Sequence, residues 1–203
     1  MNGVYFSNLF RKENSSMKRI IYLGAVILLF NTASYSQSGF IASFGAGLVT
    51  PTGTLSDDNV MGFNINGSTG YQFNSNIAGR MDFQYNSFSI DAARFPGATG
   101  GRLSIVLVKA DILAGKFDKL SKVNPYGLAG LGYFMSSRSD MTYNGYLYPS
   151  SSSNDFGMGV GGGIMYNISP KTSLYGEVQY NNIFASGGNI TFVPLRAGII
   201  IRP

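Results

Sequence analysis

The chain has 203 residues, enough for one domain with a substantial core, and it is poor in charge (12%), rich in aromatics (14%) and strewn with 27 glycines. That balance suits many short strands with tight turns and disfavours a helical bundle. Cysteine and histidine are both absent, which excludes a disulfide framework, thiolate chemistry, and the commonest general base and transition-metal ligand.

The formal charge of +5 gathers near the start, since from Gln37 onward eleven Lys/Arg face nine Asp/Glu, a net of +2. No basic stripe exists there, so nucleic acid is not an expected partner. Met17-Lys18-Arg19 precedes a short apolar run, Ile20 to Phe30, and then NTASYSQ. A basic region, an apolar run too short to span a bilayer (about 20 residues are needed) and small residues at Ser34 and Ser36 describe a secretory signal peptide. The expected division is 1–16 as an N-terminal extension or misassigned start, 17–36 as signal peptide cleaved after Ser36, and 37–203 as one β-barrel domain.

Alternating segments follow at regular spacing. FIASFGAGLV (40–49) puts Phe40, Ala42, Phe44, Ala46 and Leu48 on one face; MGFNINGSTGYQF (61–73) opposes Met61, Phe63, Ile65, Tyr71 and Phe73 to Asn64, Asn66, Ser68 and Gln72. IAGRMDFQYN (77–86) separates Ile77, Met81, Phe83 and Tyr85 from Arg80, Asp82, Gln84 and Asn86. LSIVLVKADILAG (103–115) is apolar on both faces in its first half, and PYGLAGLGYFM (125–135), FGMGVGGGIMYN (156–167), SLYGEVQYN (173–181) and VPLRAGIII (193–201) complete eight predicted strands.

Most of these run to 9–13 residues. Globular strands average about 5 or 6 residues, whereas a tilted membrane-spanning strand needs about 9 to 11. Links NSN, FDKLSKV and ISPKT alternate with the longer PTGTLSDDNV, DAARFPGATGG and SSRSDMTYNGYLYPSSSSND, apart from a modest last loop, ASGGN. Loops sorted this way belong to outer-membrane barrels, with short periplasmic turns and longer extracellular loops. Phe83 is therefore expected to face lipid and Arg80 the interior, with Tyr71, Phe73, Tyr85, Phe88, Tyr126, Phe156, Tyr166 and Tyr180 forming interfacial girdles.

The runs VNPYGLAGLGY (123–133), LYGEVQYN (174–181) and VPLRAGI (193–199) resemble the outer-membrane β-barrel domain family, across roughly Phe40 to Ile201. The resemblance implies an all-β, eight-stranded antiparallel up-and-down transmembrane barrel, porin-superfamily and OmpA-like in architecture, in the outer membrane of a Gram-negative bacterium. It implies no catalytic residues. Its lipid partners would include lipopolysaccharide, and its last strand would be read by the barrel assembly machinery. Such barrels usually end in an aromatic residue, whereas this chain ends Ile-Ile-Ile-Arg-Pro.

The inward faces bring Arg80, Asp82, Lys109, Asp111, Glu177 and Arg196 into one narrow space, three cations against three anions. An eight-stranded interior is just wide enough to be filled by side chains, and charges buried in it must be paired. The reading is a structural plug; a gated pore or a proton-handling site on Glu177 and Lys109 are the sharper alternatives. Inward Gly157, Gly159, Gly161 and Gly163 would leave room for long side chains opposite.

GMGVGG (157–162) satisfies G-x-G-x-x-G but is followed by a strand and a turn at Pro170, so no dinucleotide site is expected. Asp57-Asp58-Asn59 could contribute to a cation site but cannot complete one, and Ser150 to Ser153 reads as a solvated loop. Tyr143, Tyr146 and Tyr148 form a candidate interaction surface on the third long loop. No catalytic, cofactor-binding or metal-binding residue is assigned. The expected function is a structural, surface-interaction or adhesion barrel. A narrow porin-like channel is the alternative, followed by a soluble lipocalin-like carrier and then a lipid-modifying enzyme, which the missing histidine disfavours.

Overall fold

A computed structural model of the chain describes residues 39–118, 120–186 and 188–202. The expected extension, signal peptide and cleavage point lie outside them. The described elements are β1 (Phe40–Thr52), a short helix α1 (Leu55–Asp58), β2 (Asn59–Gln72), β3 (Ile77–Ile90), β4 (Thr99–Gly100), β5 (Leu103–Gly115), β6 (Val123–Arg138), β7 (Met141–Tyr143), β8 (Tyr146–Tyr148), β9 (Ser151–Ser169), β10 (Thr172–Ala185) and β11 (Gly188–Ile201). Eight of the strands close a barrel in the order β1-β2-β3-β5-β6-β9-β10-β11, and β11 returns to β1 through pairs from Ala42↔Ile201 to Thr52↔Thr191. Every barrel pairing is antiparallel, and apart from β11–β1 each joins strands that follow one another in the barrel's chain order. This is the fold class expected from the alternation, and closure leaves no free edge in the barrel wall.

The strands outrun the apolar alternation at one end. β3 continues past Asn86 to Ile90, β10 past Asn181 to Ala185, and β9 begins at Ser151. The serine run is thus largely strand and not free loop: Ser151, Ser152 and Ser153 pair with Arg138, Ser137 and Ser136. Backbone pairing needs no apolar side chain, so period-two hydrophobicity could not mark this extension. It also shortens the loops. The β10–β11 link is only 186–187, and the β1–β2 link, 53–58, is shorter than the β5–β6 turn, 116–122. Length sorting therefore rests on the two long links, 91–102 and 139–150, which join through a small sheet ordered β4-β7-β8.

The wall is inverted relative to a soluble protein. Leu48, Ile65, Ile112, Leu131, Val160 and Leu195 point outward and are exposed, while Asn64, Asp82, Lys109, Glu177, Asn181 and Arg196 are buried inside. Arg80 lies in the interior and Phe83 half-buried on the outward face. Outward apolar and inward polar is the arrangement a bilayer requires. A soluble carrier would carry the opposite one. A one-residue bulge between Val60 and Phe63 restores the outward parity of β2.

The lumen is layered. At the loop end Val49, Phe88, Ile105, Leu107, Phe134, Ile183 and Phe192 form one apolar cluster; at the turn end Leu113, Phe117, Leu128, Met165 and Ile200 form another. This accounts for the apolar first half of β5, whose Leu103, Ile105 and Leu107 fill the loop-end cluster. Between the clusters lies the polar layer.

Candidate functional site

The polar layer is built by parity. Arg80 and Asp82 come from β3, Lys109 and Asp111 from β5, Glu177 and Gln179 from β10, and Arg196 from β11, each two residues from the next inward position. All are at least nine-tenths buried. Arg80 donates to Asp111 Oδ2 through Nε (3.2 Å) and Nη2 (2.7 Å), and to Glu177 Oε2 through Nη1 (2.8 Å). Arg196 Nη2 meets Asp82 Oδ2 at 2.7 Å and also binds Glu177. Lys109 Nζ lies 3.2 Å from Asp111 Oδ1 and donates to Gln179 Oε1 at 2.6 Å. All six charged groups named from the sequence are thus in one connected set, with cations and anions matched.

Several members carry no charge: the sequence predicts Gln179 inside beside Glu177, and Asn64, Asn66, Gln84 and Asn86 on the polar faces, but Tyr126 in a girdle. Tyr126 donates to Glu177 Oε2 at 2.6 Å, so this aromatic lies inside the lumen and not in a girdle. Phe88 is likewise fully buried in the loop-end cluster. Both departures have one cause: position parity overrides residue type. Phe88 shares the parity of Arg80 and Asp82, which places it inside despite its chemistry. Gln84 donates to Asp82 and Gln179 to Glu177, while Asn64 bridges Asn86 at 2.7 Å and Asn66 donates to Tyr175 Oη at 2.8 Å.

The glycines of β9 make the space. A Cβ on Gly159 would stand 2.7 Å from Lys109 Nζ, one on Gly163 2.5 Å from Tyr126 Oη, and one on Gly157 2.7 Å from Phe134 Cε2. Two glycines of the G-x-G-x-x-G pattern, Gly157 and Gly159, thus form the floor beneath Phe134 and Lys109, with Gly163 just beyond it beneath Tyr126, and β9 runs on through the pattern without opening a helix.

At the loop end, β7 and β8 carry the three candidate tyrosines. Tyr143 packs edge-on against Phe95 with centroids 5.5 Å apart, whereas Tyr146 (72%) and Tyr148 (49%) stand exposed beside Leu147. Below, Arg94 ties the first two loops together, donating to Asp57 O at 2.8 Å and pairing with Asp58 at 3.7 Å. The Asp57-Asp58-Asn59 stretch is accordingly engaged by Arg94 and by the Asn59 bond to Leu55 O.

An outward apolar belt around a filled, charge-matched lumen defines a small membrane-spanning β-barrel. Residues 22–198 match the family model for the outer membrane protein beta-barrel domain, and the chain belongs to that family. In fold it is similar to Neisserial surface protein A (NspA) at 22% identity and TM-score 0.59, covering 81% of this chain and 97% of that one. It is also similar to OprG from Pseudomonas aeruginosa (12% identity, TM-score 0.56, covering 84% and 98%). A third likeness is to a major outer membrane protein from Thermus thermophilus (17%, 0.55, covering 81% and 99%). No curated protein matches it in sequence.

Proposed function

We propose that this barrel is a non-conducting, non-enzymatic anchor, exported through a cleaved signal peptide to the outer membrane of a Gram-negative bacterium, that presents its loop-end sheet to the outside. The observation that carries this reading is a contrast between the two parts of the molecule. Among the described residues the lumen is filled by an apolar layer, a charge-matched layer and a second apolar layer, which supports a barrel that does not conduct. The loop-end sheet instead exposes Tyr146 and Tyr148 on one side of β8, with exposed Leu147 between them facing the other way. Exposed aromatics on a hydrogen-bonded support are the material of binding hot spots. Exposed Arg102 beside this sheet would meet the phosphates of lipopolysaccharide.

The test is surface display of the full chain with Tyr146→Ala and Tyr148→Ala, scored for adhesion of whole cells to matrix-coated and host-cell surfaces. Adhesion that falls with the double variant, while the barrel still inserts, supports the reading. Adhesion unchanged from cells lacking the protein overturns it.

A further inference from the structure

Every interior charge in the middle layer has an opposite partner, but one buried cation at the turn end does not. Arg202 follows β11, is 8% exposed, and has no carboxylate within ion-pair distance among the described residues. Its guanidinium is held by neutral groups: Nη1 donates to Ser173 Oγ at 2.6 Å and to Asn167 Oδ1 at 3.5 Å, and Nη2 approaches Met165 Sδ at 3.7 Å. Its buried Nε–H finds no acceptor among the described residues. Leaving a buried charge uncompensated costs several kcal/mol, so such an arrangement calls for an anion.

Arg202 lines a cavity of about 20 Å³ together with Ser43, Ser68, Arg80, Met165 and Tyr175. Space of this order holds one water-sized or halide-sized particle. Its polar wall has donors to spare. Ser43 and Ser68 hydroxyls lie 2.6 Å apart, and one hydrogen bond between them uses only one of their two hydrogens. Arg80, the second cation on the wall, is already matched to Asp111 and Glu177. Among the described residues, the net charge facing the cavity is that of Arg202 alone.

We infer that the turn-end cavity is a binding site for one small monovalent anion of chloride size, held by Arg202 and a hydroxyl hydrogen of the Ser43–Ser68 pair. The remaining wall is mostly apolar, with Leu113, Phe117, Met165 and Ile200 beside the polar Gln72, Tyr126 and Tyr175, and this low-dielectric setting strengthens the attraction.

The test uses the full chain in detergent. Crystals are soaked in sodium bromide and the bromide located by anomalous scattering; in parallel, thermal unfolding is followed in sodium bromide and in sodium gluconate at matched ionic strength. The expected result is an anomalous peak beside Arg202 and a halide-specific rise in Tm. In R202Q, affinity for halide should fall about tenfold or more, the worth of one charge-assisted hydrogen bond. S43A, which leaves the cation in place, should bind more weakly than wild type but more tightly than R202Q. A cavity without bromide density, or a halide response equal in wild type and R202Q, overturns the inference. The wild-type measurements decide the matter even if R202Q does not fold.

Discussion

Glu177 receives hydrogen bonds from four side chains, Arg80, Arg196, Tyr126 and Gln179, which reach it from β3, β11, β6 and its own strand. Since β3 and β10 lie on opposite walls of the closed order, the Arg80–Glu177 pair braces the lumen across its width. Glu177→Gln would leave two guanidiniums facing a neutral amide in a dry interior. The expected cost is about 3–5 kcal/mol, the range for removing one partner of a buried ion pair. Tyr126→Phe removes one hydrogen bond to a charged group and should cost less, about 1.5–3 kcal/mol. Urea unfolding of both variants in lipid vesicles checks the order; a Glu177→Gln midpoint equal to wild type would mean the charges are not mutually dependent. At this scale the sequence was informative about charged residues, because inward parity and a lipid exterior leave a charge only one place to go. It was less informative about Tyr126 and Phe88, whose chemistry suits both the lipid interface and the lumen.

A strand carries more information than its residues, as β9 shows. Its inward positions at Gly157, Gly159, Gly161 and Gly163 have no side chain, and facing them stand Phe134, Lys109, Gln179 and Tyr126. The strand is a recess into which the neighbouring walls lean. An alanine at Gly159 would press on Lys109 Nζ and Asn181 Oδ1, both flexible ends, so the neighbours can shift. At Gly161 the added methyl would meet the Val178 carbonyl, which is fixed in the β9–β10 ladder. Gly161→Ala should therefore destabilise by about 1–3 kcal/mol, the overpacking range, and by more than Gly159→Ala. Folded fractions on refolding into detergent, compared side by side, test that ranking; the reverse order would show that backbone contact is not the limiting clash. Strand identity was readable from alternation, whereas facing also needed the strand lengths, the export signal and the sorted links; once it is set, a one-residue slip would turn Arg80 and Asp82 into lipid. The ends were not, because Ser151 to Ser153 are all polar and Ile183 to Ala185 are all apolar, so neither alternates although both pair through backbone. Nor was the bulge between Val60 and Phe63, whose extra residue breaks the very period used to find strands.

Across the described barrel the three lumen layers lie in series, and the proposed lack of conduction rests on all of them. Phe88 and Phe134 both pack edge-on against Phe192, with centroids 5.9 and 6.4 Å apart, closing the loop end with rings that offer an ion nothing to replace its water. Behind them an ion meets six fixed charges already paired, and behind those the turn-end cluster around Leu113, Phe117 and Met165. Because the barriers are stacked, lowering one leaves the others. Planar-bilayer recordings should accordingly show no steady conductance for the wild type, for Phe134→Ala, which opens the first layer, or for Glu177→Gln, which unbalances the second. The two variants combined remove barriers from adjacent layers and should be the first to show discrete steps. Steps from the wild type would reassign the lumen as a narrow pore. Steps from Phe134→Ala alone would place the whole barrier in the aromatic layer and leave the charge network with a purely mechanical role, bracing a wall that only eight strands enclose.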